Sequence, residues 1–185
     1  MYVTLEPCAH YGRTPPCALA LVEARVARVI IGALDPNPLV SGRGVSILRE
    51  AGVEVEVGVE GARCEHLHAP FFKWVKTGQP WVTLKGAMTL DGCLATASGH
   101  SKWITGEEAR AHVHSVRAQV GAVMVGGETA RLDRPTLNVR LAEGSDPRPV
   151  VLSRELSLPR DLPCVTPESR ALLCVGEGVD AERAS

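Results

Sequence analysis

Thr4-Leu-Glu-Pro-Cys-Ala-His-Tyr-Gly-Arg-Thr-Pro-Pro-Cys17 is the stretch that decides the fold of the first part of the chain. A short β-like run, Tyr2 to Leu5, leads into it, and Cys17 opens a helix-like run that continues from Ala18 to Arg25. Both cysteines directly follow a proline, which suits the first turn of a helix because its missing N–H would be unpaired there. The pattern predicts a strand, a stiff loop and a helix.

Cys8 and Cys17, at the two ends of this loop, are candidate zinc ligands. The positive end of a helix lowers a thiol pKa, and the thiolate is the form that zinc binds. Two such thiolates would be half of a tetrahedral site, in a pattern similar to the Pro-Cys half of the zinc-deaminase signature. The residue types leave one alternative open, two buried structural cysteines without a metal.

Tyr2 to Cys17 resembles the deaminase half of the bifunctional riboflavin-biosynthesis deaminase/reductase family, and Asp35-Pro-Asn-Pro-Leu-Val-Ser-Gly-Arg-Gly44 continues the match. The resemblance implies an α/β fold, the C-terminal part of a cytidine-deaminase-like three-layer domain, and zinc-dependent deamination of a diaminopyrimidine ribosylphosphate. The family's His-Ala-Glu segment is missing, so no catalytic residue is assigned. We expect Glu6 to help hold the substrate. We expect His10 to hydrogen-bond within the loop or to contact the substrate, and not to bind the metal.

Composition excludes several other classes of protein. The 185 residues carry a net charge of −1 and only 4% aromatic residues, which argues against a nucleic-acid partner. No run is long or apolar enough to span a bilayer, so we expect no membrane association. Six scattered cysteines suggest a reducing, cytoplasmic location. Because Met1 leads straight into a strand, we expect a chain truncated at its start, and the pattern stops at Ser185 as if truncated there too.

Alternating strand-like and helix-like runs predict an α/β fold on both sides of a boundary at Thr77-Gly-Gln-Pro80. This boundary predicts a partial deaminase domain at 1–77 and a partial reductase domain at 81–185. The predicted strands are Val26–Ala33, Val53–Val59, Trp81–Ala87, Cys93–Ala97, a buried Ala122–Val125, Pro149–Ser153 and Arg170–Val175. The predicted helices are Val45–Ala51, Glu60–Lys76, Glu107–Gln119 after a capping box from Thr105 to Glu108, and Glu128–Leu132.

Val125-Gly-Gly-Glu-Thr129 joins a predicted strand to a predicted helix. Such a junction exposes backbone N–H groups to an anion, although on this pattern alone an ordinary strand–helix turn is the favoured explanation. The sequence is not Gly-x-Gly-x-x-Gly, so a Rossmann fold is not predicted.

Several motifs in the second half resemble the reductase domain of the same family: Lys85-Gly-Ala-Met-Thr-Leu-Asp-Gly92, Gly99-His-Ser-Lys-Trp-Ile-Thr105, Arg117-Ala118 and Thr129-x-x-x-Asp133-x-Pro-x-Leu-x-Val-Arg140. The resemblance implies the N-terminal part of a dihydrofolate-reductase-like domain that uses NADPH to reduce the ribosyl side chain. By matching position it assigns Ala87, Trp103, Thr129, Asp133 and Ser153 to the cofactor, and Ser101, Arg117, Leu137 and Arg140 to the substrate.

Two departures from the family pattern stand out: Arg134, where an Asp is usual, and His68, where an Asn is usual. His66, His68, His112 and His114 are predicted to lie on helix surfaces. The expected partner is a small pyrimidine ribosylphosphate, with homo-oligomerisation left open. Two other functions also remain open at this point, a non-catalytic zinc-binding remnant and a fragment of a nucleic-acid base deaminase. We expect a chain without the His-Ala-Glu segment to be inactive or very weak.

Overall fold

A computed structural model describes residues 1–179 of the chain. It contains two compact units, the first spanning Met1–Leu84 and the second beginning at Lys85. The predicted domain limits, 1–77 and 81–185, stay predictions, and residues 180–185 lie outside the described part. Among the described residues, no helix has the length and apolar character needed to cross a membrane.

The first unit is a three-stranded parallel sheet with helices between its strands. The strand order is β1-β2-β3, and both outer strands run parallel to β2. Its elements are β1 (Tyr2–Leu5), α1 (Cys17–Glu23), β2 (Arg28–Ala33), α2 (Arg43–Glu50), β3 (Glu54–Val57), α3 (Gly61–Leu67) and α4 (Ala69–Thr77). The strands and helices predicted for residues 1–77 are all present, and the predicted helix Glu60–Lys76 is divided into two at His68.

The residues of β2 show that this unit has three layers. Val29 and Ile31 are fully buried against a core formed with residues of α1 and α2. Gly32 points the other way because successive strand residues face opposite sides of a sheet. A Cβ on Gly32 would lie 2.1 Å from Sγ of Cys64 in α3. The sheet is therefore packed between α1 and α2 on one face and α3 on the other.

The second unit has a separate three-stranded parallel sheet in the order β4-β5-β6. Its elements are α5 (Glu107–Gln119), β4 (Ala122–Gly126), α6 (Gly127–Asp133), β5 (Arg148–Leu152) and β6 (Leu172–Cys174). The core contains Ala130 of α6, Val151 of β5 and Leu137 of the connecting loop, together with Leu162 and Cys164. Parallel strands joined through a helix confirm the predicted α/β class.

Two strands predicted in the second half are wrong. The segments 81–87 and 93–97 are not strands, and the structure pairs no strand with them within residues 1–179. A strand needs a neighbour to satisfy its backbone N–H and C=O groups. The segment that contains Leu84 has no such neighbouring strand, and the Leu84 side chain is 96% exposed. Apolar residues that predicted a buried strand therefore face solvent.

Two further details of the second unit also differ from prediction. The strand β4 was predicted to be buried, but its residues alternate between exposed and half-buried because it lies at an edge of the sheet. The capping box is also wrong. Helix α5 begins after Gly106, and no side chain caps its first turn.

Candidate functional site

Cys8 and Cys17 are brought together by the turn between β1 and α1. The backbone N–H of Cys17, at the start of α1, donates a 3.1 Å hydrogen bond to Sγ of Cys8. Cys8 is half-buried and Cys17 is exposed. The hydrogen bond with the Cys8 thiol, then partial burial, raise the pKa of Cys17. The predicted lowering of this pKa by the helix end is therefore wrong for the metal-free thiols, because the neighbouring sulfur has the larger effect.

The two thiols fit half of a zinc site. Tetrahedral zinc needs four ligands, or three and a water molecule. Residues 1–179 contain no group of three or more His, Cys, Asp or Glu side chains arranged to hold a metal ion. The cysteine pair could therefore supply two sulfur ligands, and the zinc role of Cys8 and Cys17 stays a prediction.

Glu6 is buried and holds the loop that precedes α2. Its side chain is only 3% exposed. Its carboxylate accepts backbone N–H bonds from Asp35 at 3.2 Å, Gly42 at 3.0 Å, Gly44 at 2.9 Å and Val45 at 3.3 Å. Both oxygens are thus occupied by the main chain, which contradicts the expectation that Glu6 helps to hold a substrate.

A cleft of about 680 Å³ in the second unit brings together most of the predicted binding residues. Seven of the nine residues assigned to cofactor or substrate line it: Ala87, Ser101, Trp103, Arg117, Asp133, Leu137 and Arg140. The volume lies in the range of ordinary ligand pockets. The individual roles of these residues stay predictions.

Thr129 and Ser153 do not line this cleft. Ser153 follows β5, is buried, and lines a smaller recess of about 200 Å³ at the start of α6 together with Gly127 and Arg131. Thr129 is exposed on α6. The structure therefore separates these two predicted cofactor residues from the other seven.

The cleft is strongly basic although the whole chain has a net charge of −1. Six cationic side chains line it, against one carboxylate, that of Asp133: Lys85, Lys102, Arg110, Arg117, Arg134 and Arg140. Lys102 pairs with Asp133 at 3.5 Å. A cleft that concentrates one sign of charge attracts ligands of the opposite sign. The site is therefore suited to a phosphorylated or otherwise anionic ligand.

Trp103 lies at the wall of the cleft and not in the core. Its side chain is 74% exposed, and the guanidinium carbon of Arg110 lies 4.7 Å from the ring centroid. This cation–π contact orders an exposed aromatic face. Sequence reasoning missed Arg110, as it missed Lys102, because a single basic residue on a helix or loop carries no sequence signal of its own.

His114 and Arg117 of α5 hold the loop 136–140 at the cleft. The ring nitrogen Nδ1 of His114 accepts the backbone N–H of Arg140 at 3.0 Å. Arg117 Nη1 donates to the carbonyl oxygen of Asn138 at 3.1 Å. His114 is only 5% exposed, so its predicted place on the helix surface is wrong. Burial and the charges of Arg117 and Arg140 lower the pKa of His114, and burial lowers the pKa of Arg117.

The two departures from the family pattern have local partners. Arg134 ends α6 with a positive φ of 42°, and its Nη2 lies 2.8 Å from Oδ2 of Asp161. This contact lowers the pKa of Asp161. His68 lies between α3 and α4, where its Nε2 is 2.9 Å from Oγ1 of Thr4.

The fold and the cleft define the class of protein, an α/β protein with a basic cleft in its second unit. Residues 80–185 match the model of the RibD C-terminal domain family. The chain therefore belongs to the RibD C-terminal domain family.

Relatives and solved structures support the same assignment. The chain is 51% identical over 160 residues to the riboflavin biosynthesis protein RibD of Actinobacillus pleuropneumoniae, covering 86% of this chain and 43% of the relative. It matches a crystal structure from Thermotoga maritima, described as a diaminohydroxyphosphoribosylaminopyrimidine deaminase/5-amino-6-(5-phosphoribosylamino)uracil reductase, with a TM-score of 0.85 and 41% identity over 97% of this chain and 51% of that one. Acinetobacter baumannii RibD gives a TM-score of 0.84 and 48% identity over 99% of this chain and 52% of that one. The chain thus spans about half the length of these proteins.

Proposed function

We propose that the second unit binds NADPH and a pyrimidine ribosylphosphate as part of the reductive step of riboflavin biosynthesis. The observation that carries this proposal is the placement of six cationic side chains around one cleft. Both proposed ligands carry phosphate groups, and arginine grips phosphate through paired, charge-assisted hydrogen bonds. The Thermotoga maritima relative is described as a reductase of a phosphoribosylamino compound.

The chain's own residues would bind and orient the ligands. NADPH supplies a hydride when bound, so the protein has to position the two reactants and needs no nucleophile of its own. In the proposed arrangement, Arg117 and Arg140 hold the substrate phosphate. The exposed ring of Trp103 and the backbone near Ala87 form the wall against which the nicotinamide nucleotide lies.

A binding titration tests this function directly. NADPH fluorescence is measured as the 185-residue protein is added, at two ionic strengths. We expect saturable binding that weakens in higher salt, because exposed charges are screened within about 8–10 Å at physiological ionic strength. Arg140→Gln should weaken binding of the substrate or of a ribose phosphate more than it weakens NADPH binding.

The matched control is Arg160→Gln. Arg160 is an exposed arginine of the same unit and does not line the cleft. The control should bind both ligands as the unaltered protein does. If Arg160→Gln and Arg140→Gln have equal effects, the attraction is a general property of the surface and the assignment of the cleft fails.

The first unit is proposed to take part in deamination, an activity named for the Thermotoga maritima relative, with a zinc ion held in part by Cys8 and Cys17. Support comes from the contact between Cys8 and Cys17 at the start of α1. Co²⁺ bound by thiolates gives charge-transfer absorption, so a Co²⁺ titration should produce this band in the unaltered protein and in Cys93→Ser, a control in the second unit. Cys8→Ser or Cys17→Ser should lose it. An unchanged band in both variants would remove the zinc assignment.

The NADPH titration also separates the proposed enzyme from the zinc-binding remnant, which would bind no dinucleotide. A nucleic-acid base deaminase would leave the match of residues 80–185 to the RibD C-terminal domain family unexplained. The cleft and the family match therefore both favour the reductase-containing protein.

A further inference from the structure

We infer that His114 is a positioning residue that holds the loop 136–140, and with it Arg140, in the shape that binds an anion, and that it releases this loop when it becomes protonated. The inference rests on the proposed anion-binding role of the cleft. It assigns a function to a buried histidine that the family resemblance leaves without one.

The hydrogen bond with Arg140 determines which ring nitrogen of neutral His114 carries the proton. Nδ1 of His114 accepts the backbone N–H of Arg140 at 3.0 Å. A ring nitrogen can accept only with a free lone pair, so the proton of the neutral ring lies on Nε2. Protonation adds a hydrogen to Nδ1, which then faces the N–H of Arg140. The hydrogen bond is lost, and two donors are pressed together in a buried place.

The surroundings of His114 oppose its protonation while the ring is hydrogen-bonded to the backbone of Arg140. Burial and then the charges of Arg117, on the same helix, and Arg140, on the facing loop, oppose protonation of the ring, and a backbone hydrogen bond with Asn138 favours it less strongly. Arg110, one turn earlier on α5, lines the same cleft. On the loop itself, the backbone N–H of Val139 is held by Oδ1 of Asp146 at 2.7 Å. Because the opposing causes are the larger ones, a positive ring is relieved when the segment around Arg140 moves away.

The loop has few other anchors on α5. Arg117 donates to the carbonyl oxygen of Asn138 at 3.1 Å. The side chain of Arg140 bonds within the loop, to Thr136 and to Oδ1 of Asn138. Leu137 is buried with a positive φ of 55°, an unfavourable backbone conformation for leucine that its surroundings must maintain. Loss of the His114 bond therefore frees the residue that bears the Arg140 guanidinium.

The expected pH dependence of anion binding is opposite to that of a site that binds its anion by positive charge alone. Acid adds positive charge to a protein, so an anion with fixed charge should ordinarily bind as well or better as the pH falls. Inorganic sulfate is a suitable probe because it stays fully ionised from about pH 8 to about pH 5. We expect its affinity for the cleft, followed by the NMR signals of the Arg117 and Arg140 guanidinium groups, to fall about tenfold over this range, the effect of one lost hydrogen bond.

Three variants separate this role from a general effect of pH. His114→Asn retains an acceptor near the place of Nδ1 and does not titrate, so it should bind sulfate at about pH 8 and show no acid loss. His114→Leu should bind about tenfold more weakly at both pH values. His112→Asn is the matched control, since His112 is exposed on the same helix, and it should keep the acid loss of the unaltered protein.

Hydrogen exchange of the Arg140 amide provides a readout that needs no ligand. After correction for the intrinsic pH dependence of exchange, protection should be present at about pH 8 and lost at about pH 5, in step with the titration of the His114 ring. Protection that survives protonation of His114, or sulfate affinity that stays level or rises in acid, would overturn the inference. If sulfate binds at neither pH, the proposed anion-binding role fails, while the Arg140 amide still decides the role of His114.

Discussion

The carboxylate oxygen Oε1 of Glu6 lies 2.9 Å from the backbone nitrogen of Gly44, thirty-eight residues further along the chain. The same carboxylate also binds the N–H groups of Asp35 and Gly42. One buried charge thus fixes the whole connection between β2 and α2. The first two predictions follow from this arrangement.

Glu6→Gln should destabilise the first unit by about 2–4 kcal/mol, because charge-assisted bonds to buried donors are lost and an amide NH₂ group is turned toward backbone N–H groups. Urea unfolding monitored by circular dichroism measures the loss. Glu23→Gln, at an exposed position in α1, is the control and should change the free energy of unfolding by less than about 0.5 kcal/mol. Equal effects of the two changes would show that the buried carboxylate contributes no more to the free energy of unfolding than an exposed one.

Gly44→Ala should destabilise the same unit by about 1–3 kcal/mol or more, the usual range for forcing extra atoms into a packed region. A Cβ at this position would lie 2.0 Å from the carbonyl oxygen of Pro7. Backbone rather than a flexible side chain would have to move. Gly12→Ala is the matched control, since a Cβ there meets nothing within 4 Å, and thermal unfolding should distinguish the two. A Gly44→Ala protein as stable as the control would contradict the close contact between Gly44 and the carbonyl oxygen of Pro7.

Stability of the second unit should fall as the pH drops below about 6.5. Burial and neighbouring charges lower the pKa of His114 in the folded protein, while the unfolded chain has the ordinary histidine value of about 6.5. The unfolded state therefore binds the proton first, and folding loses free energy on the acid side of that value. Unfolding free energies should decline with acid more steeply in the unaltered protein than in His114→Asn. Parallel curves for the two proteins would count against a buried neutral ring.

Cys8→Ala should make Cys17 react faster with iodoacetamide in metal-free protein. The hydrogen bond with the Cys8 thiol is the largest cause that raises the pKa of Cys17, and only the thiolate is nucleophilic. Removing the partner should increase the thiolate fraction near pH 8, and mass spectrometry of the alkylated peptide gives the rate. Cys93→Ala is the comparison, and it should leave the rate at Cys17 unchanged. A rate at Cys17 that stays constant in Cys8→Ala would show that the two thiols do not interact.

The ion pair between Arg134 and Asp161 concerns the cleft rather than stability. Both side chains are partly or largely exposed, so Asp161→Asn should leave the free energy of unfolding almost unchanged. It should nevertheless tighten sulfate binding, because Arg134 lines the cleft and would lose its carboxylate partner. Unchanged or weaker sulfate binding would place the Arg134 charge outside the ligand's reach.

Local sequence patterns were sufficient for most of the secondary structure. The alternation of Val53–Val59 predicted β3, and the helical run after Thr105 predicted α5 to the residue. The same reasoning failed at Trp81–Ala87, whose apolar residues resemble a strand. Local preference cannot supply the neighbouring strand that backbone hydrogen bonding requires.

The candidate site was predicted in part, and the misses have a common cause. Arg117 and Arg140 were found through motif resemblance, and both line the cleft. The sequence places His114 on the surface of a helix, together with His66, His68 and His112. Its burial depends on the loop that ends at Arg140, twenty-six residues away, and the periodicity of one helix carries no information about that contact.

The two bonds from α5 to the loop 136–140 both end on main-chain atoms, the N–H of Arg140 and the carbonyl of Asn138. Every amino acid has a main-chain carbonyl, and every amino acid except proline has a main-chain N–H. Evolution, or a protein engineer, could therefore exchange the side chains at 138 and 140 to suit a different metabolite without dismantling the support beneath them. The main chain at residues 138 and 140 thus carries the contact with α5, while the two side chains can change with the ligand.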